Sequence, residues 1–111
     1  MEIATTEYKH CDVIKVTGRI DSSTASQLGE KVNEIQSKGR YKLVFDISNV
    51  DFISSSGLWV LVNAQKASKR YNRGEVVLAC VPEKIYGAFE LAGFVPFFKI
   101  FDNVTASVGN F

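Results

Sequence analysis

The chain is poor in the residues that build metal and disulfide sites, with two cysteines and one histidine in 111 residues. Cys11 and Cys80 lie too far apart in sequence to suggest a disulfide framework or a metal knuckle. Each lies in an apolar, strand-like run, which favours a reduced, buried thiol. We therefore expect neither a bound metal nor a cofactor.

Long apolar runs and a charge excess are also missing. The apolar runs are only a few residues long, far short of the roughly 20 needed to cross a bilayer. The N-terminus, MEIATTEYKH, lacks the basic-then-apolar pattern of a secretory signal. Thirteen basic and twelve acidic residues leave a net charge of +1, which argues against direct binding of nucleic acid or an anionic membrane. We expect one globular domain over residues 1–111, without a membrane span, in the cytoplasm.

The first half of the chain predicts a hairpin followed by a helix. EIATTEY is predicted as an edge strand, and CDVIKVTG as its partner, ending at Gly18. Thr24 and Gln27 have the spacing of a capping box at the start of the helix, and Gly39 fits its end. Apolar residues recur at three- and four-residue steps between these signals: Ala25, Leu28, Val32 and Ile35.

The second half alternates strands and helices. KLVFDI, VVLAC and FFKIF are predicted as strands, and Pro82 as the first residue of the third helix. The second helix carries one apolar stripe: Gly57, Val60, Leu61, Ala64, Ala67 and Tyr71. Residues 102–111 allow a short C-terminal helix. The order β-β-α-β-α-β-α-β predicts an α/β fold with a mixed, mainly parallel sheet covered by helices.

The sequence SSSG, residues 54–57, falls between the KLVFDI strand and the second helix. Open α/β sheets place functional loops at the carboxyl ends of their strands. Serine also caps helices well, because its oxygen accepts a hydrogen bond from an otherwise unpaired amide. A single serine is enough for a cap, and Ser56 is the predicted one. The stretch is therefore either a helix cap alone or a cap with a second role.

A nucleophilic serine is the first such role, and the sequence argues against it. No glycine stands two residues before any of the three serines, so the G-x-S-x-G pattern is absent. His10 is the only histidine and lies near the start of a strand, which leaves no second candidate for a general base.

A phosphate acceptor is the second role. A phosphoryl group on a serine at a helix N-terminus lies in the positive field of the helix, near free amide donors. It adds about −1.5 to −2 charge at neutral pH, enough to prevent docking by repulsion and desolvation. No Walker-type loop is present, so ATP would have to be bound by a partner.

The element order and KLVFDISNVDFISSSGLWVLV together resemble the STAS-domain anti-sigma factor antagonists of bacteria. The matching parts are a strand ending in Asp46, a short turn over 47–50, the pair Phe52–Ile53, the serines with Gly57, and an L-x-V-L pattern. The GRID sequence at residues 18–21 also resembles a loop of this family. The resemblance covers essentially the whole chain.

The resemblance implies a non-enzymatic phosphoprotein that exchanges partners. Its unphosphorylated form would bind an anti-sigma factor that is also a GHKL-type serine kinase, and this binding would release the sigma factor. Phosphorylation of Ser55 would block binding, and a PP2C-type serine phosphatase would restore it. The family's common acidic residue before the acceptor is Ser54 here, so Ser54 remains the alternative acceptor. A second hypothesis is a non-switching STAS scaffold subunit of a stress-sensing or lipid-transport complex.

The resemblance also implies which residues contact the partner. Asp21 and Asp46 are expected on loops beside the acceptor or the partner. Trp59 allows two interpretations, a residue that fills the edge of the core or an aromatic anchor for the partner. The residues predicted for partner binding are Asp21, Ser22, Asp46, Ser54, Ser56, Gly57 and Trp59.

Overall fold

The computed structural model describes all 111 residues and contains one five-stranded sheet. The strands lie in chain order across it: β1 Glu2–Glu7, β2 Asp12–Ile20, β3 Lys42–Ile53, β4 Glu75–Ala79 and β5 Lys99–Phe101. The first pair, β1 with β2, is antiparallel, and every other pair is parallel. The predicted mixed, mainly parallel sheet with β1 at its edge is thus confirmed.

Four α-helices connect or follow these strands: α1 Ser22–Ser37, α2 Ser55–Lys69, α3 Glu83–Leu91 and α4 Val104–Gly109. The first three contribute to a core of twenty buried side chains on one face of the sheet, with Phe45 and Phe89 fully buried. Val104 and Val108 of α4 pack against a smaller cluster around Val44 on the other face. The predicted short C-terminal helix is present. No helix combines the length and apolar character that a bilayer crossing requires.

Two strands run beyond their predicted ends. Gly18 does not end β2 but lies within it at φ +100, a backbone conformation that side chains disfavour, and the strand continues to Ile20. β3 continues past Asp46 through the segment expected to be a turn and ends at Ile53. β4 pairs with β3 only as far as Asp46, whereas β2 pairs with it up to Ile53. The extra length therefore forms an extension of two strands, β2 and β3.

Other boundaries were also predicted wrongly. β4 ends at Ala79, and Cys80 of the predicted VVLAC strand lies just outside it at φ 58. β5 is only Lys99–Phe101, because Val95–Phe97 form a 3-10 turn. Pro82 is the residue before α3 and not its first helical residue. Tyr71 does not belong to the apolar stripe of α2: the helix ends at Lys69, Tyr71 adopts φ 58, and its side chain is exposed.

Candidate functional site: the paired helix starts

The N-termini of α1 and α2 lie side by side at one end of the sheet. Each helix begins directly after a strand, and Ile20 at the end of β2 is paired with Ile53 at the end of β3. The backbone N–H of Ser54 donates to the carbonyl of Ile20 at 2.8 Å. The strand pairing therefore brings the GRID and SSSG sequences, more than thirty residues apart, into one site.

Asp21 caps α1. Its Oδ1 accepts hydrogen bonds from the backbone N–H groups of Ser23 at 3.0 Å and Thr24 at 3.1 Å, and from the Ser23 hydroxyl at 2.6 Å. Thr24 Oγ1 in turn accepts from the Asp21 N–H at 2.8 Å, which completes a capping box. The predicted box of Thr24 and Gln27 is wrong, because Thr24 fills the third helical position and not the cap.

The same hydrogen bonds set the charge of Asp21. Donation by the Ser23 hydroxyl and the Thr24 amide stabilises the carboxylate and lowers its pKa to about 2. Arg19 lies on the other side, with Nε 3.4 Å from Asp21 Oδ2 and its guanidinium 3.9 Å from the centre of the Phe52 ring. Asp21 therefore presents a fixed negative charge at neutral pH.

Ser54, not Ser56, caps α2. Ser54 has extended backbone angles and its Oγ accepts a hydrogen bond from the Gly57 N–H at 3.2 Å. Ser55 and Ser56 are the first two residues of the helix, and both are exposed. Neither hydroxyl has a hydrogen-bond partner within the chain. The prediction that Ser56 is the cap is therefore wrong.

Gly57 is the position where the helix start meets the strand ends. It is buried, and a Cβ atom added there would lie 2.6 Å from Ile20 Cγ2 and 2.9 Å from Ile53 Cγ1. Both distances are shorter than a carbon contact permits, so any side chain here would displace the two isoleucines or the helix. Gly57 thus serves packing and holds the exposed serines close to Asp21.

Trp59 lies four residues after Ser55, and so on the same side of α2. Its side chain is 47% exposed. The ring makes an edge-on contact with Phe94 at 5.3 Å between centroids, and Lys66 Nζ lies 5.5 Å from its centre. Trp59 therefore has one side packed and the other open to solvent, as both of the sequence interpretations allowed.

Asp46 lies outside this site, contrary to its expected place on a loop. It is a buried residue of β3, paired with Lys15 and Ala79, and Oδ1 accepts from the Ser48 N–H at 3.1 Å. Seven further strand residues, 47–53, separate it from Ser54. The loop was expected because the matched family pattern has a short turn after the aspartate, over 47–50, whereas these residues continue β3.

The site brings together Asp21, Ser22, Ser54, Ser55, Ser56 and Gly57, with Trp59 one turn further along α2. Ser22 is exposed at the first position of α1. Sequence reasoning missed Arg19 and Phe52, whose stacking covers one flank of Asp21. Arg19 lies inside GRID and Phe52 lies two residues before the serines, so both belong to the matched motifs. Nothing in the sequence alone indicates that their side chains stack.

The fold and the serine-bearing helix start define a STAS domain, and comparison with known proteins agrees. The family model described as the STAS domain matches residues 2–107. The anti-sigma-B factor antagonist of Listeria monocytogenes is 33% identical over 93 residues, which is 84% of this chain and 80% of that protein. The chain belongs to the STAS domain family and, by homology, to its anti-sigma factor antagonists. Proteins of this group are generally not enzymes.

Solved structures share the fold. An anti-sigma factor antagonist from Mycobacterium paratuberculosis superposes with a TM-score of 0.87 at 20% identity, covering 98% of this chain and 92% of that one. The Bacillus anti-sigma factor antagonist SpoIIAA superposes with a TM-score of 0.77 at 14% identity in both its unphosphorylated and phosphorylated forms. The comparison covers 98% of this chain and 96% and 98%, respectively, of those two structures.

Proposed function

We propose that this protein is a phosphorylation-controlled antagonist whose acceptor is Ser55. The unphosphorylated form binds an anti-sigma factor serine kinase of the GHKL type and thereby frees the sigma factor. The kinase transfers phosphate to Ser55, and a PP2C-type phosphatase removes it. The single observation that carries the proposal is the exposed, unbonded hydroxyl of Ser55 at the first position of α2.

The surroundings of Ser55 support this choice over its neighbours. Ser54 already uses its hydroxyl oxygen as the helix cap and is only partly accessible. Ser56 is exposed but one residue deeper into the helix. A phosphate on Ser55 would lie near the free N–H groups and positive field of the helix start, so the fold can carry it.

The effect of phosphate on docking follows from charge. Asp21 already places one negative charge beside the serines, and Arg19, the nearest cation, is paired with it. A phosphate of about −1.5 to −2 would leave this surface strongly anionic. A partner matched to the unphosphorylated surface would meet both repulsion and the desolvation of the new charge.

The relatives support the type of pathway. The Listeria relative is named for antagonism of an anti-sigma factor, and SpoIIAA has been solved in unphosphorylated and phosphorylated forms. Trp59 offers such a partner an aromatic contact, because a protein that covers Ser55 also reaches the next turn on the same side of α2. Ser22 and Ser56 belong to the same docking surface.

The test uses the purified protein with a GHKL-type serine kinase from the same genome, ATP and phosphosite mapping by mass spectrometry. We expect phosphate on Ser55 in the wild type, none in Ser55→Ala, and phosphate still on Ser55 in Ser56→Ala. Incorporation should be unchanged in the control Ser37→Ala, an exposed serine at the far end of α1. Phosphorylated wild type should bind the kinase at least about tenfold more weakly than unphosphorylated protein. Equal binding of both forms would refute the switch and favour the scaffold hypothesis, whereas phosphate on Ser54 would refute the assignment of the acceptor.

A further inference from the structure

A concave site lies at the opposite end of the sheet from the serines. It is formed where three connections meet: the β1–β2 turn, the α1–β3 loop and the segment before β4. Its volume is about 250 Å³. We call it the amino-edge cleft. Its charged lining residues, together with the one histidine, are Lys9, His10, Asp12, Arg40, Lys42 and Arg73.

The amino-edge cleft concentrates positive charge. Its lining holds four basic side chains and one acidic one, a net of three positive charges with His10 neutral. The whole chain carries a net of only one, so the remaining residues carry a net of two negative charges. Glu7 adds a nearby negative charge felt by Arg40, but forms no ion pair there. The net charge of the whole chain, +1, gives no indication of this uneven distribution.

Two of the cations are held in fixed positions. Arg40 is paired with the buried Asp12 and donates from Nη2 to the carbonyls of Tyr8 at 2.6 Å and Cys11 at 3.3 Å. Its Nη1 has no partner within the chain. A guanidinium fixed in this way loses little conformational entropy when it binds a ligand.

Arg73 is the second fixed cation. Its Nη1 donates to the Tyr41 hydroxyl at 2.9 Å and its Nη2 to the Ala67 carbonyl at 2.7 Å, while the guanidinium stacks on the Tyr41 ring at 3.8 Å. None of these partners carries a negative charge. Arg73, Lys9 and Lys42 therefore line one cleft, and none of the three forms an ion pair with a carboxylate.

We propose that the amino-edge cleft binds a small polyanion bearing phosphate groups. Asp12 neutralises only one of the four cations in the cleft, so repulsion among the others opposes folding, and a bound anion relieves that repulsion. The planar donor groups of arginine match phosphate oxygens, and the lysines add charge without demanding one geometry. A volume of about 250 Å³ suits an anion of pyrophosphate size.

The cleft is independent of the proposed phosphorylation. It lies at the amino ends of β2 and β3, whereas Ser55 follows the carboxyl end of β3. Binding at the cleft is therefore measured on the unphosphorylated chain, and its outcome has no bearing on the identity of the acceptor.

The experiment is an NMR and calorimetric titration of the full chain with inorganic pyrophosphate at low ionic strength. Lys42→Gln and Arg73→Gln remove charges from the cleft, and Lys84→Gln, at an exposed position on α3, is the matched control. Dispersed amide spectra establish that each variant is folded. We expect shifts at residues 9–12 and 39–42, an affinity about tenfold lower in each cleft variant, and an unchanged affinity in the control.

Three results would overturn the proposal. If wild type does not bind pyrophosphate, the cleft is not an anion site. If Lys42→Gln and Lys84→Gln lower the affinity for pyrophosphate equally, binding depends on the overall charge of the chain and not on the cleft. Shifts in the cleft with hexaglutamate but not with pyrophosphate would assign it to an acidic protein surface. Weaker binding of inorganic phosphate than of pyrophosphate, with the same dependence on the variants, would support the assignment to a polyanion.

Discussion

Replacing Ser54 by alanine should destabilise the protein, whereas the same change at Ser56 should not. The structure gives Ser54 the cap of α2, since its Oγ accepts the Gly57 N–H at 3.2 Å. Ser54→Ala leaves that amide without its partner near the start of the helix. Ser56 has an exposed hydroxyl that bonds to nothing in the chain, so its removal costs no interaction.

The expected loss of unfolding free energy in Ser54→Ala can be estimated from the cost of removing helix caps in other proteins. Loss of a serine cap costs about 1 kcal/mol, within a range of roughly 0.5–2. For a domain of this size, 1 kcal/mol corresponds to a fall in Tm of about 4 °C. With a urea m-value of about 2 kcal/mol/M, the midpoint should fall by about 0.5 M. Ser56→Ala should stay within about 0.5 kcal/mol of wild type, since it touches no named interaction.

The assay is urea unfolding followed by far-ultraviolet circular dichroism, with wild type, Ser54→Ala and Ser56→Ala measured together. Ser54→Asp is a rescue variant, because aspartate caps helices about as well as serine. A larger loss in Ser56→Ala than in Ser54→Ala would show that α2 begins two residues later. Failure of Ser54→Asp to recover stability would show that the loss does not come from the cap.

Two further predictions test the same site. Gly57→Ala should lower the free energy of unfolding by about 1–3 kcal/mol, because the new Cβ overlaps Ile20 and Ile53. Gly29→Ala on α1 is the control, because its new Cβ would lie 3.9 Å from the nearest atom, an ordinary contact. Its free energy of unfolding, measured by chemical denaturation, should be unchanged or higher. Because the folded pKa of Asp21 is depressed to about 2, its stabilisation is present above pH 4 and is lost as the pH falls towards 2. Asp21→Asn should lack that loss, so urea midpoints of the two proteins should converge between pH 4 and 2; a constant difference would refute the assignment.

The fold could be predicted because it depends on patterns that repeat over many residues. Leu43, Val44 and Phe45 form a continuous apolar run, and the structure buries them on both faces of the sheet. The end of β3 could not be predicted in the same way. Only one neighbouring strand pairs with its second half, so Ser48 and Asn49 are exposed and resemble a turn in sequence.

The spacing of residues along the chain was not enough to identify which residues cap the helices. Three consecutive serines each have the chemistry of a cap, and the choice depends on which one stays extended when Gly57 packs against Ile20 and Ile53. The contact with Ile20 joins residues more than thirty positions apart. The same is true of α1, because Asp21 and Thr24 are both residue types that favour caps. Asp21 is the cap because β2 ends at the residue before it.

The choice between Ser54 and Ser55 as acceptor depends on which hydrogen bonds each serine already makes within the chain. Ser54 is held twice, by its N–H to the Ile20 carbonyl and by its Oγ to the Gly57 N–H, so a phosphate transferred to that Oγ would disturb the cap where α2 joins the sheet. The Ser55 hydroxyl makes no such bond, and its side chain is already exposed at the first turn. In the proposed switch, the cap and the acceptor are thus adjacent residues with opposite requirements: one must be held and the other must be free. A phosphate added at the free position would leave the cap intact, so the proposed switch would act on the docking surface without unfolding the helix that carries it.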